Sequence, residues 1–150
     1  MAGLDIAAGT DYLYGLGNLT KALAAIKKFE DTNWKAMLAY SLASRLRQEG
    51  KLRNSEKAYF YAMALGGKTD FPGIPRGRAR SALYLSIRYN DLAEIQAKLG
   101  ANNAAGRNFE HAQVLIDETK TRPSEKGIGN LDGMILTEQQ RVNAGLAAKS

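Results

Sequence analysis

Apolar residues recur along this chain at intervals of three and four rather than two, and that spacing predicts α-helix almost throughout. A first pair of helices is expected over 4–13 and 19–29, separated by Gly15 and Gly17, whose backbone freedom disfavours a helix interior. In the second of these, Leu19, Ala22, Leu23, Ile26 and Phe29 share one face, while Lys21, Lys27 and Lys28 lie outside it. Asp31, Thr32 and Asn33 supply acceptors for an N-cap before a third helix over 34–49, which Gly50 ends. A fourth helix is expected over 54–65, closed by Gly66 and Gly67. Pro72 and Pro75 then mark a loop, because each lacks an amide donor. The helical pattern resumes over 78–99, breaks at Gly100 and continues over 103–118. A second loop around Pro123 and Gly127 to Gly133 precedes a weakly amphipathic tail helix over 137–147.

Sliding the chain against itself by 50 residues exposes an internal repeat. Leu42, Ala43, Gly50, Ser55, Tyr59, Ala62 and Leu65 fall on Leu92, Ala93, Gly100, Ala105, Phe109, Ala112 and Leu115. Each match has a packing reason: Leu beside Ala gives one large contact and one place of close approach, Gly turns the chain, and a small residue, an aromatic and Ala line the returning helix. This pattern resembles the tetratricopeptide repeat over about residues 34–117. The family's period is stretched here by the Gly/Pro loop, Leu46 is replaced by Gln96, and Leu52 by Asn102. A degenerate earlier unit is visible at an offset of 33, where Gly17, Leu19, Ala22 and Ile26 match Gly50, Leu52, Ser55 and Tyr59.

The resemblance implies an all-α fold. Antiparallel helix pairs would stack as a short right-handed solenoid of about six helices plus a C-terminal tail helix, within one domain over 1–150. It also implies a non-enzymatic protein-protein interaction module, an adaptor, scaffold or assembly component, whose first helices line a groove for a peptide, a helix or a neighbouring subunit. The residues expected to face a partner are Tyr40, Arg47, Asn90, Glu94 and Lys98. Tyr40 would give apolar contact, and Arg47, Asn90 and Lys98 would engage acidic or backbone acceptors; Tyr40 fits a core position equally well. The chaperone-binding members carry a Lys and Asn clamp where this chain has Tyr40 and Ser44, so recognition of chaperone tails is not expected.

Composition changes this picture mainly through charge. The chain has 150 residues, is 45% hydrophobic and 24% charged, and carries a net charge of +6. Residues 34–100 hold 12 Lys/Arg against 5 Asp/Glu, whereas the flanking segments are near balance. Arg45, Arg47, Lys51 and Arg53 form one cluster, and Arg76, Arg78, Arg80 and Arg88 another. Such a stripe attracts phosphate or an acidic partner, so nucleic-acid binding is an alternative reading, with Tyr84 and Tyr89 available for stacking. The third reading is a structural subunit of a large assembly such as a virus particle or secretion apparatus, with terminal arms, including 127–150, docked on neighbours.

Catalytic and cofactor chemistry finds little support. With no Cys and a single His111, thiolate chemistry and clustered zinc ligands are excluded. Gly15 to Thr20 resembles a phosphate loop only superficially, since no strand precedes it and no Lys follows in register. Asn18-Leu19-Thr20 is a glycosylation sequon without secretory context. No cofactor is expected. No run approaches the roughly 20 apolar residues of a membrane span, and the first 19 residues lack a cleavable signal pattern. The location expected is therefore cytoplasmic, with a virion as the alternative.

Overall fold

The computed structural model describes residues 6–67, 70–124 and 129–148. These residues form seven α-helices and no strand. The start expected at Leu4 and the end at Ser150 lie outside the described residues, as do positions 125–128 of the second loop. No helix among the described residues is long and apolar enough to cross a membrane. Contacts group the chain into two compact units, Met1–Gly67 and Lys68–Ser150.

The first unit contains α1 (Ile6–Gly15), α2 (Leu19–Lys27), α3 (Thr32–Gln48) and α4 (Leu52–Gly66). Its main pair is α3 with α4, and α1 and α2 lie against α3. Side-chain caps fix where two of the helices begin. Asn18 Oδ1 accepts from Lys21 N at 3.1 Å, and Asp31 Oδ1 accepts from Trp34 N at 3.0 Å. The second cap starts α3 at Thr32, two residues before the expected Trp34, because Asp31 rather than a later residue satisfies the orphan amide. Ile26, Leu38, Leu42, Tyr59 and Ala62 are fully buried at the centre. Where α1 crosses α3, the hydroxyls of Thr10 and Ser41 meet at 2.7 Å.

The second unit contains α5 (Ala79–Lys98), α6 (Asn102–Thr121) and α7 (Leu131–Ala148). The closest pair is α5 with α6, and α7 lies on both. Asp70, in the Gly/Pro loop, ties the unit together at one end. Its Oδ1 accepts from Gly77 N at 2.8 Å, Ser81 Oγ at 3.0 Å and Arg122 Nη1 at 3.1 Å, while Ala79 N donates to Pro123 O at 3.0 Å. Phe71 packs edge-on against Tyr84 at 5.9 Å.

The 50-residue repeat has a matching backbone. Gly50 and Gly100 both adopt left-handed φ, 78° and 84°. Gly50 N donates to Arg47 O and Lys51 N to Leu46 O; Gly100 N donates to Ala97 O and Ala101 N to Gln96 O. Both turns thus close the preceding helix with the same pair of bonds, a geometry that requires positive φ at the glycine. Leu42, Ala43, Ser55, Tyr59 and Ala62 are buried, as are their counterparts Leu92, Ala93, Ala105, Phe109 and Ala112. Gln96 stays buried in place of Leu46, with its Oε1 accepting from Asn108 Nδ2 at 2.6 Å.

The tail helix differs most from expectation, starting at Leu131 instead of 137. Asn130 turns the chain at φ 61°, its carbonyl accepts from Met134 N, and Gly133 is carried inside the first turns.

Candidate functional site

The residues expected to face a partner are distributed over both units, and two of them are core. Tyr40 is 2% exposed and packs on Tyr59 with ring centroids 6.3 Å apart, so it is a structural contact of α3 with α4 and not a groove residue. Arg47, also on α3, is half-buried. In the second unit Asn90 is fully buried, which removes it from any partner-facing surface. Its Nδ2 donates to Glu138 Oε1 at 3.1 Å and to Glu138 O at 3.2 Å. Glu94 is half-buried and paired with Arg141. Lys98, at the end of α5, is exposed.

The face of α5 that was expected to receive a partner is therefore covered by the chain's own α7. Arg141 is the centre of that contact. Its Nη2 reaches Asp91 Oδ1 at 2.6 Å and Glu94 Oε1 at 2.7 Å, its Nε reaches Glu94 Oε2 at 3.0 Å, and its Nη1 reaches Glu138 Oε1 at 2.9 Å. The fork geometry of guanidinium suits this arrangement, since two parallel bonds to Glu94 leave further donors for two more carboxylates. Burial works against the charge on Arg141. Hydrogen bonds donated to Glu94 and Asp91, helped by the nearby charges of Asp91 and Glu138, outweigh it and raise the pKa further above the ordinary arginine value. Arg88 adds a second cation to Asp91 at 3.0 Å.

On the α6 side, Gln113 and Gln139 exchange amide hydrogen bonds at 2.8 and 2.5 Å. Gly145 lies directly beneath the Phe109 ring, where an added Cβ would overlap the aromatic carbons. His111 stacks on Tyr89 with centroids 3.9 Å apart and planes 17° apart. This ring contact accounts for His111, and no group of three or more potential metal ligands occurs among the described residues.

The inward concentration of charge gives α7 an unusual exterior. Beyond Asp132, which is exposed in the first turn, its only charged residues are Glu138 and Arg141, and both face α5, Glu138 at Asn90 and Arg141 at Asp91 and Glu94. Leu136, Gln140, Asn143, Ala144 and Ala147 are exposed and share one face, with Leu136 58% exposed.

The basic stripe divides between the units. Arg45, Lys51 and Arg53 belong to the first; Arg76, Arg78, Arg80 and Arg88 belong to the second. Arg45 pairs with Asp11 at 2.8 Å and Glu49 at 3.4 Å, and the Asp11 bond holds its pKa above the usual value. Arg45 and Lys51 also flank the Tyr14 ring at 4.5 and 4.6 Å. Arg80 lies over Tyr84 at 5.9 Å, and Arg88 is paired with Asp91. Arg53, Arg76 and Arg78 are exposed. Several cations of the stripe are thus committed to internal carboxylates or rings, and Tyr89, offered for base stacking, is only 5% exposed.

Sequence reasoning missed a hollow in the first unit. A cavity of about 360 Å³ opens between α1, α2 and α3, lined by Ala8, Gly9, Tyr12, Leu13, Ala25, Lys28, Phe29 and Leu38. A second of about 580 Å³ adjoins it, sharing Lys28 and Phe29 and adding Glu30, Asp31 and Trp34. The sequence trace of it is the run of small residues Ala7, Ala8 and Gly9 ahead of Tyr12, which leaves α1 without bulk on the side that meets α2 and α3.

No protein-family model matches this chain, and no curated protein and no solved structure is similar to it.

Proposed function

We propose that this protein is a non-enzymatic protein-protein interaction module, an adaptor or assembly component built on tetratricopeptide-like helix pairs, and that its partner docks on the outward face of α7. The twin turns at Gly50 and Gly100 and the shared small and aromatic core positions support the repeat-like pairing. The observation that carries the binding surface is the reversed charge arrangement of α7. A surface helix ordinarily turns its charges to water and its apolar side inward. Here Glu138 and Arg141 point inward, while Leu136, Gln140, Asn143 and Ala147 point out. A face with small side chains, amides and one large apolar group suits close helix-helix contact, and from Leu136 to Ala147 it carries no charge, Asp132 lying one turn before it, which suits the dry centre of an interface. The favoured partner is a neighbouring copy, because this face carries none of the positive charge that otherwise repels like chains.

Light scattering over a range of protein concentrations tests the reading. A concentration-dependent oligomer is expected, and Leu136→Glu, at an exposed position, is expected to dissociate it while leaving helical circular dichroism unchanged. A wild-type chain that stays monomeric at all concentrations would overturn assembly from copies of itself. An oligomer indifferent to Leu136→Glu would overturn the choice of α7.

A further inference from the structure

The hollow in the first unit has no part in that reading. Its volume, about 360 Å³, falls within the roughly 300–1,000 Å³ of small-molecule sites. The room exists because three small residues, Ala8, Gly9 and Ala25, stand where the helices meet, while Leu13, Phe29 and Leu38 complete an apolar wall. Among the described residues, no carboxylate lines this cavity, and the one charged residue on its wall is Lys28. Lys28 is exposed and has no ion pair among the described residues. It stands at the junction with the second hollow, beyond which lie Glu30 and Asp31.

This arrangement has a direction. An alkyl chain in the first cavity removes apolar surface from water on both sides, and a negative head at the junction meets the Lys28 ammonium. The same head is kept out of the second hollow by Glu30 and Asp31. A cationic amphiphile in the same place would set its charge against Lys28, and among the described residues the carboxylates that could receive it, Glu30 and Asp31, lie beyond the junction and off the wall of the first cavity. We propose that the cavity between α1, α2 and α3 binds a free straight-chain monocarboxylate, with its chain against the apolar wall and its carboxylate on Lys28.

Trp34 lines the adjoining hollow and is the single tryptophan of the chain, so its fluorescence reports occupancy. The full chain is titrated with decanoate, decanol and decyltrimethylammonium, each below its micelle concentration, and with octanoate to vary chain length. Decanoate is expected to give a saturable change, tighter than octanoate by roughly fourfold per methylene. Lys28→Gln is expected to weaken decanoate by roughly two- to fivefold and to leave decanol unaffected. Ala8→Phe, a substitution at an exposed helix position that fills the cavity mouth, is expected to abolish the response. Both variants are checked for unchanged helicity. A response that does not saturate, equal binding of the ammonium amphiphile, or a Lys28→Gln chain that binds decanoate as well as wild type would each overturn the proposal. The α7 reading is untouched by those results, since its test is oligomeric size.

Discussion

Tyr89 is where a single residue couples the fold to pH. Its ring is stacked on His111 and its hydroxyl is held in a buried environment, which raises its pKa above the ordinary value of 10.0. In the unfolded chain the phenol ionises near that ordinary value, while in the fold it keeps its proton. The folded state therefore binds more protons above about pH 10, and stability falls as pH rises through this range and on to the folded pKa. Urea midpoints measured from pH 8 to 11 should decline, and Tyr89→Phe, which keeps the ring stack, should flatten part of that decline. Asn90 teaches the opposite lesson about reading residues. A polar side chain on an Ala/Leu-rich helix reads as surface, yet Asn90 is buried because Glu138, 48 positions later, supplies its acceptors. Nothing local in the sequence announces such a distant partner.

At the scale of an element, α7 joins a polar clasp on α5 to close backbone contact on α6. Gly145 is the residue where the contact is tightest. In an isolated helix, Gly→Ala would stabilise by about 1 kcal/mol. Here the added methyl would overlap the Phe109 ring, and forcing an extra group into a packed site costs about 1–3 kcal/mol. The packing effect wins, so Gly145→Ala should lower stability in urea unfolding, and Phe109→Leu in the same chain should recover part of the loss. The sequence made most helices legible because apolar spacing and glycine stops act locally: Gly50, Gly100 and Asp31 define their turns and cap within a few residues. The tail helix was less legible. Its core-facing positions include Glu138 and its helix interior includes Gly133 and Gly145, so apolar periodicity is faint over much of its length. The groove expected on α5 failed for the same reason, since an inward-facing Arg141 reads as a solvated cation.

For the whole molecule, net charge and docking surface act in opposite directions. A chain of charge +6 repels its copies, while the outer face of α7 contributes no positive charge to that repulsion. Raising salt shortens the screening length from about 10 Å at 0.1 M to roughly 3 Å at 1 M. Self-association through α7 should therefore strengthen with salt, as measured by light scattering between 0.05 and 0.5 M on the order-of-magnitude scale of that screening. Binding to nucleic acid through the arginines would weaken steeply over the same range. The Asp70 to Arg122 bond, finally, carries a consequence for the order of folding. It closes a loop of 52 residues, an entropic cost of about 3.5 kcal/mol from chain length alone. A charged hydrogen bond contributes about 1.5–3 kcal/mol. That bond alone does not offset the closure of its loop, so it is expected to form once the pairing of α5 with α6 has brought its ends together, and stopped-flow unfolding of Arg122→Gln should then show a faster unfolding rate with folding little changed.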